Sequence, residues 1–498
     1  MNRPARAPRR PTGPGPVLVL VVLALIPAVL LWAVWQWADG RAATAEDAVP
    51  LVDESSTAPV PTTAPLALNT PLLSMRRTAN ELSRQLNVGA FEQEALAMAT
   101  VVGPTSCSAI SLDGDLIGSV NADIQVIPAS TQKLLVASAG LDVLGPDYRY
   151  TTTVAGPAPV DGVVSGDVYL VGGGDPVLSG EWYADSNLDL HPAFNITSLD
   201  QLARNLAAAG VTRIDGVVRG DGSRYDDEFY VDSWGAGVAG IEAGPYDGLL
   251  VNDSRVLGDD QRGGDPNEAG AREFVRILAE QGIAVSGGSG TGTAPDGANV
   301  LATIDSEPLP AIIAEMLTNS DNNTAEMMVK EIGLVTSGSG TRQAGLDAMA
   351  STIASWGVDT TGLVLGDGSG LSLDNRITCT TMLGVLQHVG YDSPVGAGLP
   401  IAGETGTLSE IFVDTPVAGR LRGKTGTLNN PPFNEDPPAV KALAGFLPVD
   451  GGGAIEYVLI LNAPTIADQS EYRPIWAELV NVLNSFPAVA SPATLGPR

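Results

Sequence analysis

Histidine, cysteine and lysine are scarce in this sequence of 498 residues, which contains two, two and four of them, respectively. Neither His191 nor His388 lies at a ligand spacing from cysteine or a carboxylate, and a zinc site needs more ligands than these two offer. A catalytic triad based on histidine would need one of them in place. We therefore interpret both histidines as structural and predict neither a metal ion nor another cofactor. If a serine is the nucleophile here, its general base is expected to be a lysine.

Basic residues are few as well, since 27 Lys and Arg stand against 57 Asp and Glu, giving a formal charge of −30. A phosphate backbone would be repelled by such a chain, so we exclude nucleic acid as a partner. The two cysteines, Cys107 and Cys379, can form a disulfide in an oxidising compartment. The sequence alone does not pair them, so the bridged and the free states both stay open.

The N-terminal region combines arginines within residues 1–16 with an apolar run over 17–35 that only Pro27 interrupts. A helix of that length spans about 29 Å, enough to cross the hydrocarbon core of a bilayer. We predict a transmembrane anchor at 17–37 that contacts the lipid bilayer, a cytoplasmic tail at 1–16, and a single-pass membrane protein with an extracytoplasmic catalytic domain. The alternative is a signal peptide cleaved at Ala45, which would give a secreted protein.

Composition divides the rest of the chain. Residues 38–70 form a stalk rich in Ala, Pro and Thr, which cannot bury enough apolar surface to fold. Gly, Asp and Val dominate 150–299, where we predict a mostly β inserted domain. The segments 71–149 and 300–487 are predicted to form one α+β domain, with helices grouped around an antiparallel sheet, and 488–498 a C-terminal tail.

Hydrophobic periodicity and turn residues locate the main elements. Asp113 and Gly114 sit between two strand-like runs and predict a hairpin, and two further strands flank a glycine-rich turn at 451–453. Helices are predicted over 72–86, from 130 to 138 and beyond, and over 198–209, 308–333, 341–356 and 470–485.

The stretch "VIPASTQKLLVAS" at 126–138 places Ser130 and Lys133 one helical turn apart. Pro128 favours a turn before the helix begins. A lone Ser-x-x-Lys pattern is weak evidence, because a serine three residues before a lysine is usually a cap or a surface contact. However, three apolar residues follow Lys133, and a buried charge costs free energy unless it has partners. We therefore regard Ser130 as a candidate nucleophile and Lys133 as its base.

Two further motifs supply what such a site requires. "NSDNNTAE" places Ser320 and Asn322 at the end of a helical run, where short polar side chains can project into a cleft. "RGKTGTL" places Lys424 on a strand beside Gly426, which leaves room for a ligand to pair with the strand edge. Each motif is weak singly, but the order Ser-x-x-Lys, Ser-x-Asn, Lys-Thr-Gly supplies a nucleophile, a proton relay and an anion clamp.

With these motifs the sequence resembles the penicillin-recognising serine hydrolases, and more narrowly the low-molecular-weight penicillin-binding proteins of the D-alanyl-D-alanine carboxypeptidase/endopeptidase type, peptidase family S13. The resemblance covers about residues 75–485 and includes "LDGDLIGSVNADIQVIPASTQKLL", "GDVYLVGGGDP", "LGDGSGLSLDNRIT" and "VKALAGFLP". It implies a serine β-lactamase/transpeptidase-like domain with a region inserted between the first two motifs.

The resemblance also implies roles for the motif residues. Ser130 would be acylated with Lys133 as its base, while Ser320 and Asn322 would relay protons and hold the substrate amide. The physical chemistry agrees, because a lysine can deprotonate a hydroxyl only if burial or a like charge lowers its pKa.

The third motif would bind the substrate. Lys424 and Thr425 would hold the terminal carboxylate, Gly426 would leave room for the ligand, and the backbone N–H groups of Ser130 and Thr427 would form the oxyanion hole. A similar stretch, "ETGTL" at 404–408, carries Glu404, whose charge would repel a carboxylate, so we interpret it as a loop or strand feature.

Two positions limit the resemblance. In "DGSGLSLDNR" an arginine is expected where this chain has Leu373, so any contact that this arginine makes in relatives is in doubt. "GDGSRYDDEFY" resembles a segment near the pocket for the side-chain amine of the peptide, which makes Asp226 a candidate substrate contact. The competing interpretation of Asp226 is an exposed acidic loop.

We expect a serine DD-peptidase that acts on peptidoglycan stem peptides ending in D-Ala-D-Ala and is inhibited by β-lactam antibiotics. Two alternatives stay open: a serine β-lactamase, and a non-catalytic cell-wall-binding or sensor protein with the same fold. The motifs do not distinguish carboxypeptidase, endopeptidase and transpeptidase activities.

Overall fold

A computed structural model describes residues 75–487 except 187, 189–190, 236, 260, 430–438 and 451. The predicted cytoplasmic tail, anchor and stalk, and the predicted C-terminal tail, lie outside the described residues. Within the part of the chain that the structure describes, none of the helices combines the length and the apolar character needed to cross a bilayer.

The described residues form eleven α-helices and fifteen β-strands. The helices are α1 (Met75–Ala95), α2 (Met98–Val101), α3 (Lys133–Leu144), α4 (Leu199–Ala208), α5 (Pro266–Glu280), α6 (Leu309–Asn319), α7 (Asn322–Ser337), α8 (Arg342–Ser355), α9 (Cys379–Val389), α10 (Pro394–Ala397) and α11 (Gln469–Asn484). The strands are β1 (Cys107–Leu112), β2 (Asp115–Val120), β3 (Thr151–Gly156), β4 (Val163–Val164), β5 (Val168–Val171), β6 (Leu178–Ser179), β7 (Thr197–Ser198), β8 (Arg213–Ile214), β9 (Val218–Asp221), β10 (Ala284–Val285), β11 (Ser289–Thr291), β12 (Asn299–Asp305), β13 (Arg422–Leu428), β14 (Ala439–Pro448) and β15 (Ala454–Ala463). The mixed α+β class predicted from the sequence is confirmed.

The main sheet has five antiparallel strands in the order β13-β14-β15-β1-β2. Its central strands β14, β15 and β1 are buried along nearly their whole length because both faces of the sheet are covered. Neighbouring residues of β15 show this, since Val458 belongs to a core formed with α3 and α6–α9, and Leu459 to a core formed with α1, α2 and α11. The β1–β2 hairpin at Asp113 and Gly114 and the β14–β15 pair are confirmed.

The helix predicted over 308–333 is in fact two helices, α6 and α7. Ser320 adopts left-handed backbone angles with φ at 63°, which ends α6. The carboxylate of Asp321 then accepts a hydrogen bond from the backbone N–H of Thr324 at 2.5 Å and caps α7. Serine and aspartate compete with helical hydrogen bonding through their own side chains, so the helix breaks at this point despite the continuous apolar pattern.

The segment from β3 to β12 builds three further sheets and has a core of its own. One sheet has the order β11-β9-β5-β3-β12, the second is the parallel arrangement β10-β8-β4, and the third is the parallel pair β6-β7. The core includes Leu170, Leu206 of α4, and Phe274 and Ile277 of α5, all fully buried. The last strand of this region ends at Asp305.

A disulfide joins Cys107 at the start of β1 to Cys379 at the start of α9, with the two Cα atoms 6.0 Å apart. It links residues 272 positions apart in the sequence and fastens the main sheet to a helix of its covering layer. The pairing that the sequence left open is thus formed.

Candidate active site

A cleft of about 480 Å³ brings the three motifs together. Its lining includes Ser130, Ser320 and Asn322 at the junction of α6 and α7, and Thr425 and Thr427 on β13. Among the described residues β13 is an edge strand of the main sheet, and Pro400 and Ile401 contact its outer side only at Arg422 and Gly423. Its outer side beyond Gly423 therefore faces the cleft as an open strand edge. The cleft therefore combines a serine, polar side chains and a strand edge to which an extended peptide can bind.

Ser130 lies in a single 3₁₀ turn, Ala129–Gln132, that leads into α3. Ala129 has φ at 49°, in the left-handed region, which costs an alanine about 1–2 kcal/mol. Strand β13 lies directly against this turn at Gly426, where a Cβ atom would come within 2.8 Å of the carbonyl oxygen of Pro128. The strained turn and the close strand together fix the position of the serine at the floor of the cleft.

Lys133 is fully buried, and its Nζ atom has three neighbours at hydrogen-bonding distance. It lies 3.0 Å from Ser130 Oγ, 2.7 Å from Asn322 Oδ1 and 2.7 Å from the backbone oxygen of Ser369. The amide and backbone oxygens can only accept hydrogen bonds, so a neutral amine directs its two N–H groups at them. Its lone pair then faces the hydroxyl of Ser130, which is the arrangement that a general base requires.

Burial lowers the pKa of Lys133 from 10.5 to about 8, although the charges of Asp321, Asp367 and Glu326 oppose this change. Burial also holds the pKa of Lys424 well below its usual value, and the positive charge of Lys133 lowers it further. The two amines therefore titrate as a coupled pair, in which the charge on one disfavours the charge on the other.

Lys424 is fully buried and connects the strand to the second motif. Its Nζ atom donates to Ser320 Oγ at 2.8 Å and to the backbone oxygen of Thr425 at 2.9 Å. Since Ser320 Oγ accepts from an amine, its own O–H remains available to a group in the cleft. The left-handed backbone of Ser320 places that hydroxyl at the open end of α6.

Asn322 also connects the site to the region between β3 and β12. Its Nδ2 donates to the backbone oxygen of Glu242 at 2.8 Å, while its Oδ1 accepts from Lys133. The neighbouring Asn323 accepts from the backbone N–H of Gly244 at 2.7 Å. One wall of the cleft is thus tied to the start of α7 by side-chain amides.

The loop that supplies the Ser369 oxygen was not assigned a role from the sequence. Asp367, fully buried, accepts from the backbone N–H groups of Gly370 at 2.9 Å and Ser372 at 2.6 Å. Glu326 of α7 accepts from the N–H of Ser369 at 2.7 Å, and burial next to Asp367 raises its pKa to about 7. The dense Gly, Ser and Asp of "GDGSGLSLDNR" was the available signal for this loop.

Leu373, which stands where an arginine was expected, lies partly buried against the larger core. It is not among the residues that line the cleft. The Leu373 side chain therefore does not replace the substrate contact that an arginine at this position would make.

Polar contacts also surround the hydroxyls of β13. Thr425 Oγ1 donates to Thr407 Oγ1 at 2.9 Å, and Thr427 Oγ1 accepts from Lys441 Nζ at 2.9 Å. Thr407 belongs to the "ETGTL" stretch, which forms a 3₁₀ turn at Gly406–Leu408 and so is a loop feature as interpreted. Neither Thr407 nor Lys441 was singled out from the sequence.

The structure does not bring Asp226 to this cleft. Its carboxylate forms an ion pair with Lys330 Nζ at 2.6 Å, and Asp226 is absent from the residues that line the cleft. A substrate contact by Asp226 stays a prediction. His191, by contrast, lines the cleft, and burial together with the charge of Lys424 lowers its pKa. Across the described residues, no group of three or more His, Cys, Asp and Glu side chains is placed to hold a metal ion.

Comparison with known proteins places these motifs in a family. The sequence matches the D-Ala-D-Ala carboxypeptidase 3 (S13) family over residues 109–257 and 245–485. It is 30% identical over 418 residues to a D-alanyl-D-alanine carboxypeptidase of Actinomadura sp. (strain R39), covering 67% of this chain and 73% of the relative. It is 32% identical over 363 residues to carboxypeptidase Rv3627c of Mycobacterium tuberculosis, covering 68% and 72% of the two chains.

Among solved structures, the fold is similar to that of penicillin-binding protein 4 (dacB) from Haemophilus influenzae. The TM-score is 0.62 at 21% sequence identity, and the match covers 79% of this chain and 98% of the other. The same protein complexed with a novel β-lactam matches with a TM-score of 0.58 at 20% identity and the same coverage. At this level of identity the likeness concerns the fold.

Proposed function

This chain belongs to the S13 family of D-Ala-D-Ala carboxypeptidases, and we propose that it cleaves the D-Ala-D-Ala bond of peptidoglycan stem peptides through an acyl-enzyme on Ser130. It is accordingly an enzyme, a serine-type D-Ala-D-Ala carboxypeptidase. The observation that carries the proposed mechanism is the contact of 3.0 Å between Lys133 Nζ and Ser130 Oγ, with two acceptor oxygens fixing the amine from the other side.

In the acylation step, Ser130 Oγ attacks the carbonyl carbon of the penultimate D-Ala while Lys133 takes the hydroxyl proton. The backbone N–H groups of Ser130 and Thr427 stabilise the negative charge that develops on the carbonyl oxygen. The C–N bond then breaks, and the leaving amine of the terminal D-Ala takes a proton from the hydroxyl of Ser320, which regains one from the ammonium group of Lys424 at 2.8 Å. In the second step water attacks the ester carbonyl and gives a proton to the now neutral Lys424 through Ser320. Lys133 returns its proton to Ser130 Oγ as the ester bond breaks, so both lysines and the serine recover their starting states.

Binding of the substrate changes the protonation states of Lys133 and Lys424 in the direction that acylation requires. The terminal carboxylate, placed next to Lys424 and Thr425, favours the ammonium form of Lys424. That positive charge disfavours a second charge on Lys133, whose pKa burial has already lowered to about 8. A ligand with a free carboxylate thus promotes the neutral form of Lys133, the base that deprotonates Ser130.

A β-lactam inhibits by the same route, because its ring amide and carboxylate occupy the places of the scissile bond and the terminal carboxylate. The ester then persists, since no leaving group departs from the cleft to admit water. The β-lactam complex of the structurally similar penicillin-binding protein 4 supports this proposal at the level of the fold.

We further propose that the catalytic domain lies outside the cytoplasm and that residues 17–37 anchor it to the membrane. The disulfide between Cys107 and Cys379 supports an oxidising compartment.

The test combines D-Ala release from a peptide ending in D-Ala-D-Ala with mass spectrometry of the full chain after exposure to penicillin. We expect catalytic release and a single adduct on Ser130, both abolished by Ser130→Ala. Ser138→Ala is the matched control on the helix that follows Ser130, because the Ser138 hydroxyl donates to the Leu134 carbonyl at 2.6 Å and Ser138 is not among the residues that line the cleft. An adduct on any other residue contradicts the mechanism.

The same reactions separate the alternatives. Sustained turnover of a chromogenic β-lactam, instead of one equivalent, would indicate a β-lactamase. Acylation by penicillin without D-Ala release from any such peptide would indicate a sensor.

A further inference from the structure

Lys441 contacts β13 from the neighbouring strand, β14. It lies on β14 directly opposite Thr427 of β13 in the antiparallel register, and its Nζ atom donates to Thr427 Oγ1 at 2.9 Å. The same Nζ atom lies 4.5 Å from the ring centroid of Tyr472 and 5.5 Å from that of Trp476, both on α11. The proposed acylation and proton-transfer steps do not use this lysine.

The contact with an ammonium group determines what the Thr427 hydroxyl can do. An ammonium group has three donors and no acceptor, so the Thr427 O–H cannot point at Lys441. With one lone pair occupied by Lys441, the hydroxyl proton is directed elsewhere, and Thr427 lines the cleft that contains Ser130. Lys441 therefore makes Thr427 a hydrogen-bond donor to a group bound in the cleft.

The neighbouring threonine shows the opposite arrangement. Thr425 already donates its proton to Thr407 Oγ1 at 2.9 Å, so in the free protein its hydroxyl is engaged. Of the two threonine hydroxyls of β13 that line the cleft, Thr427 is thus the one left prepared to donate.

The position of the ammonium group is fixed by its surroundings. Tyr472 and Trp476 are almost fully buried, and aromatic faces attract a cation without competing for its N–H donors. Burial lowers the pKa of Lys441 to about 8, with the charge of Arg473 as a second cause, so the ammonium form still predominates at pH 7. The Thr427 hydroxyl lies between the Lys441 ammonium group and the edge of β13. The positive charge of Lys441 therefore also favours an anion that accepts a hydrogen bond from this hydroxyl.

We propose that Lys441 is a positioning residue for the terminal carboxylate of the substrate, which it serves by holding the Thr427 hydroxyl as a donor into the cleft. This inference rests on the proposed function, because it assumes a peptide carboxylate at β13. It adds a residue outside the three motifs, on a neighbouring strand, to the machinery that binds the substrate.

A double-mutant cycle on kcat/KM for D-Ala release tests the proposal, with Lys441→Met, Thr427→Val and the double variant. Loss of one charge-assisted hydrogen bond predicts a fall of about tenfold for either single variant. The double variant should then be no worse than Thr427→Val, because Lys441 acts only through the hydroxyl. Lys441→Arg, which keeps the charge and the donors, should recover most of the activity, and Thr427→Ser should retain the effect of Lys441→Met.

Several outcomes would overturn the inference. An unchanged kcat/KM for Lys441→Met, or losses that multiply to about a hundredfold in the double variant, would show that Lys441 does not act through Thr427. Thermal unfolding identifies variants that fail to fold, and Lys441→Gln, a polar side chain without the charge, then replaces Lys441→Met in the cycle. The wild-type protein distinguishes refutation of the role of Lys441 from refutation of the proposed function. If the wild type releases no D-Ala, the proposed function itself is refuted.

Discussion

Replacing Lys133 by methionine removes the proposed base while keeping a side chain of similar length. In the structure, the amine contacts Ser130 Oγ at 3.0 Å, Asn322 Oδ1 at 2.7 Å and the Ser369 oxygen at 2.7 Å. A positioned general base contributes about 10²–10⁴ in rate. Acylation should therefore slow by about 10²–10⁴-fold, which corresponds to about 2.7–5.5 kcal/mol of transition-state stabilisation.

Two opposing contributions to the free energy of unfolding are expected in the Lys133→Met variant. Two buried acceptor oxygens lose their donor, at about 1–3 kcal/mol each. The cost of burying an amine is relieved at the same time, because the pKa of Lys133 is lowered by burial. We therefore expect the variant to fold with an unfolding temperature close to that of the wild type, so that the loss of rate reports on chemistry.

The assay is the second-order rate constant for acylation by a labelled penicillin, followed by mass spectrometry of the intact protein. Lys330→Met is the matched control, because Lys330 is also fully buried but pairs with Asp226 and two backbone oxygens instead of Ser130. The control should lower the unfolding temperature and leave the acylation of folded protein near the wild-type rate. A Lys133→Met variant that acylates at more than about a tenth of the wild-type rate would refute the assignment of the base.

Three further predictions follow from the site and its supports. Acylation by the wild type should accelerate as pH rises through about 8, because only the neutral form of Lys133 accepts a proton; a rate that is flat or falls between pH 7 and 9 contradicts this. Cys107→Ser with Cys379→Ser should lower the free energy of unfolding by about 2–5 kcal/mol, measured by denaturant titration, and an unchanged transition midpoint would count against a stabilising bridge. Gly426→Ala places a Cβ 2.8 Å from the Pro128 oxygen and should reduce acylation at least about tenfold by displacing β13 from the Ser130 turn; wild-type kinetics would show that the strand adjusts freely.

Local patterns were sufficient where the interactions are local. The helical spacing of Ser130 and Lys133 predicted that both side chains share one face, and their atoms are in contact. The long apolar runs around the turn at 451–453 predicted paired buried strands, and β14 and β15 pair over their whole length. In each case the residues that form the interaction are close in the sequence or carry the periodicity themselves.

Contacts made by backbone atoms left no such pattern. The oxygen of Ser369 approaches Lys133 across 236 positions, and any residue could supply a backbone oxygen there. What selects the loop is the buried carboxylate of Asp367, whose hydrogen bonds to backbone N–H groups depend on the folded path of the chain. The Lys441–Thr427 contact joins two side chains, but it also depends on the folded chain, because the register of β13 and β14 brings the two residues opposite each other.

The distribution of lysine gives these separate contacts a common physical basis. In a chain of formal charge −30, three of the four lysines, Lys133, Lys424 and Lys441, contact residues that line one cleft. Burial lowers the pKa of each of them, so their charges are sensitive to any anion that arrives. Under the proposed mechanism, a ligand with a free carboxylate stabilises the ammonium forms beside β13 and, by repulsion, the neutral form of Lys133. We therefore expect selectivity for a carboxylate terminus and activation of Ser130 to depend on one set of coupled charges, so that a ligand without the carboxylate loses both.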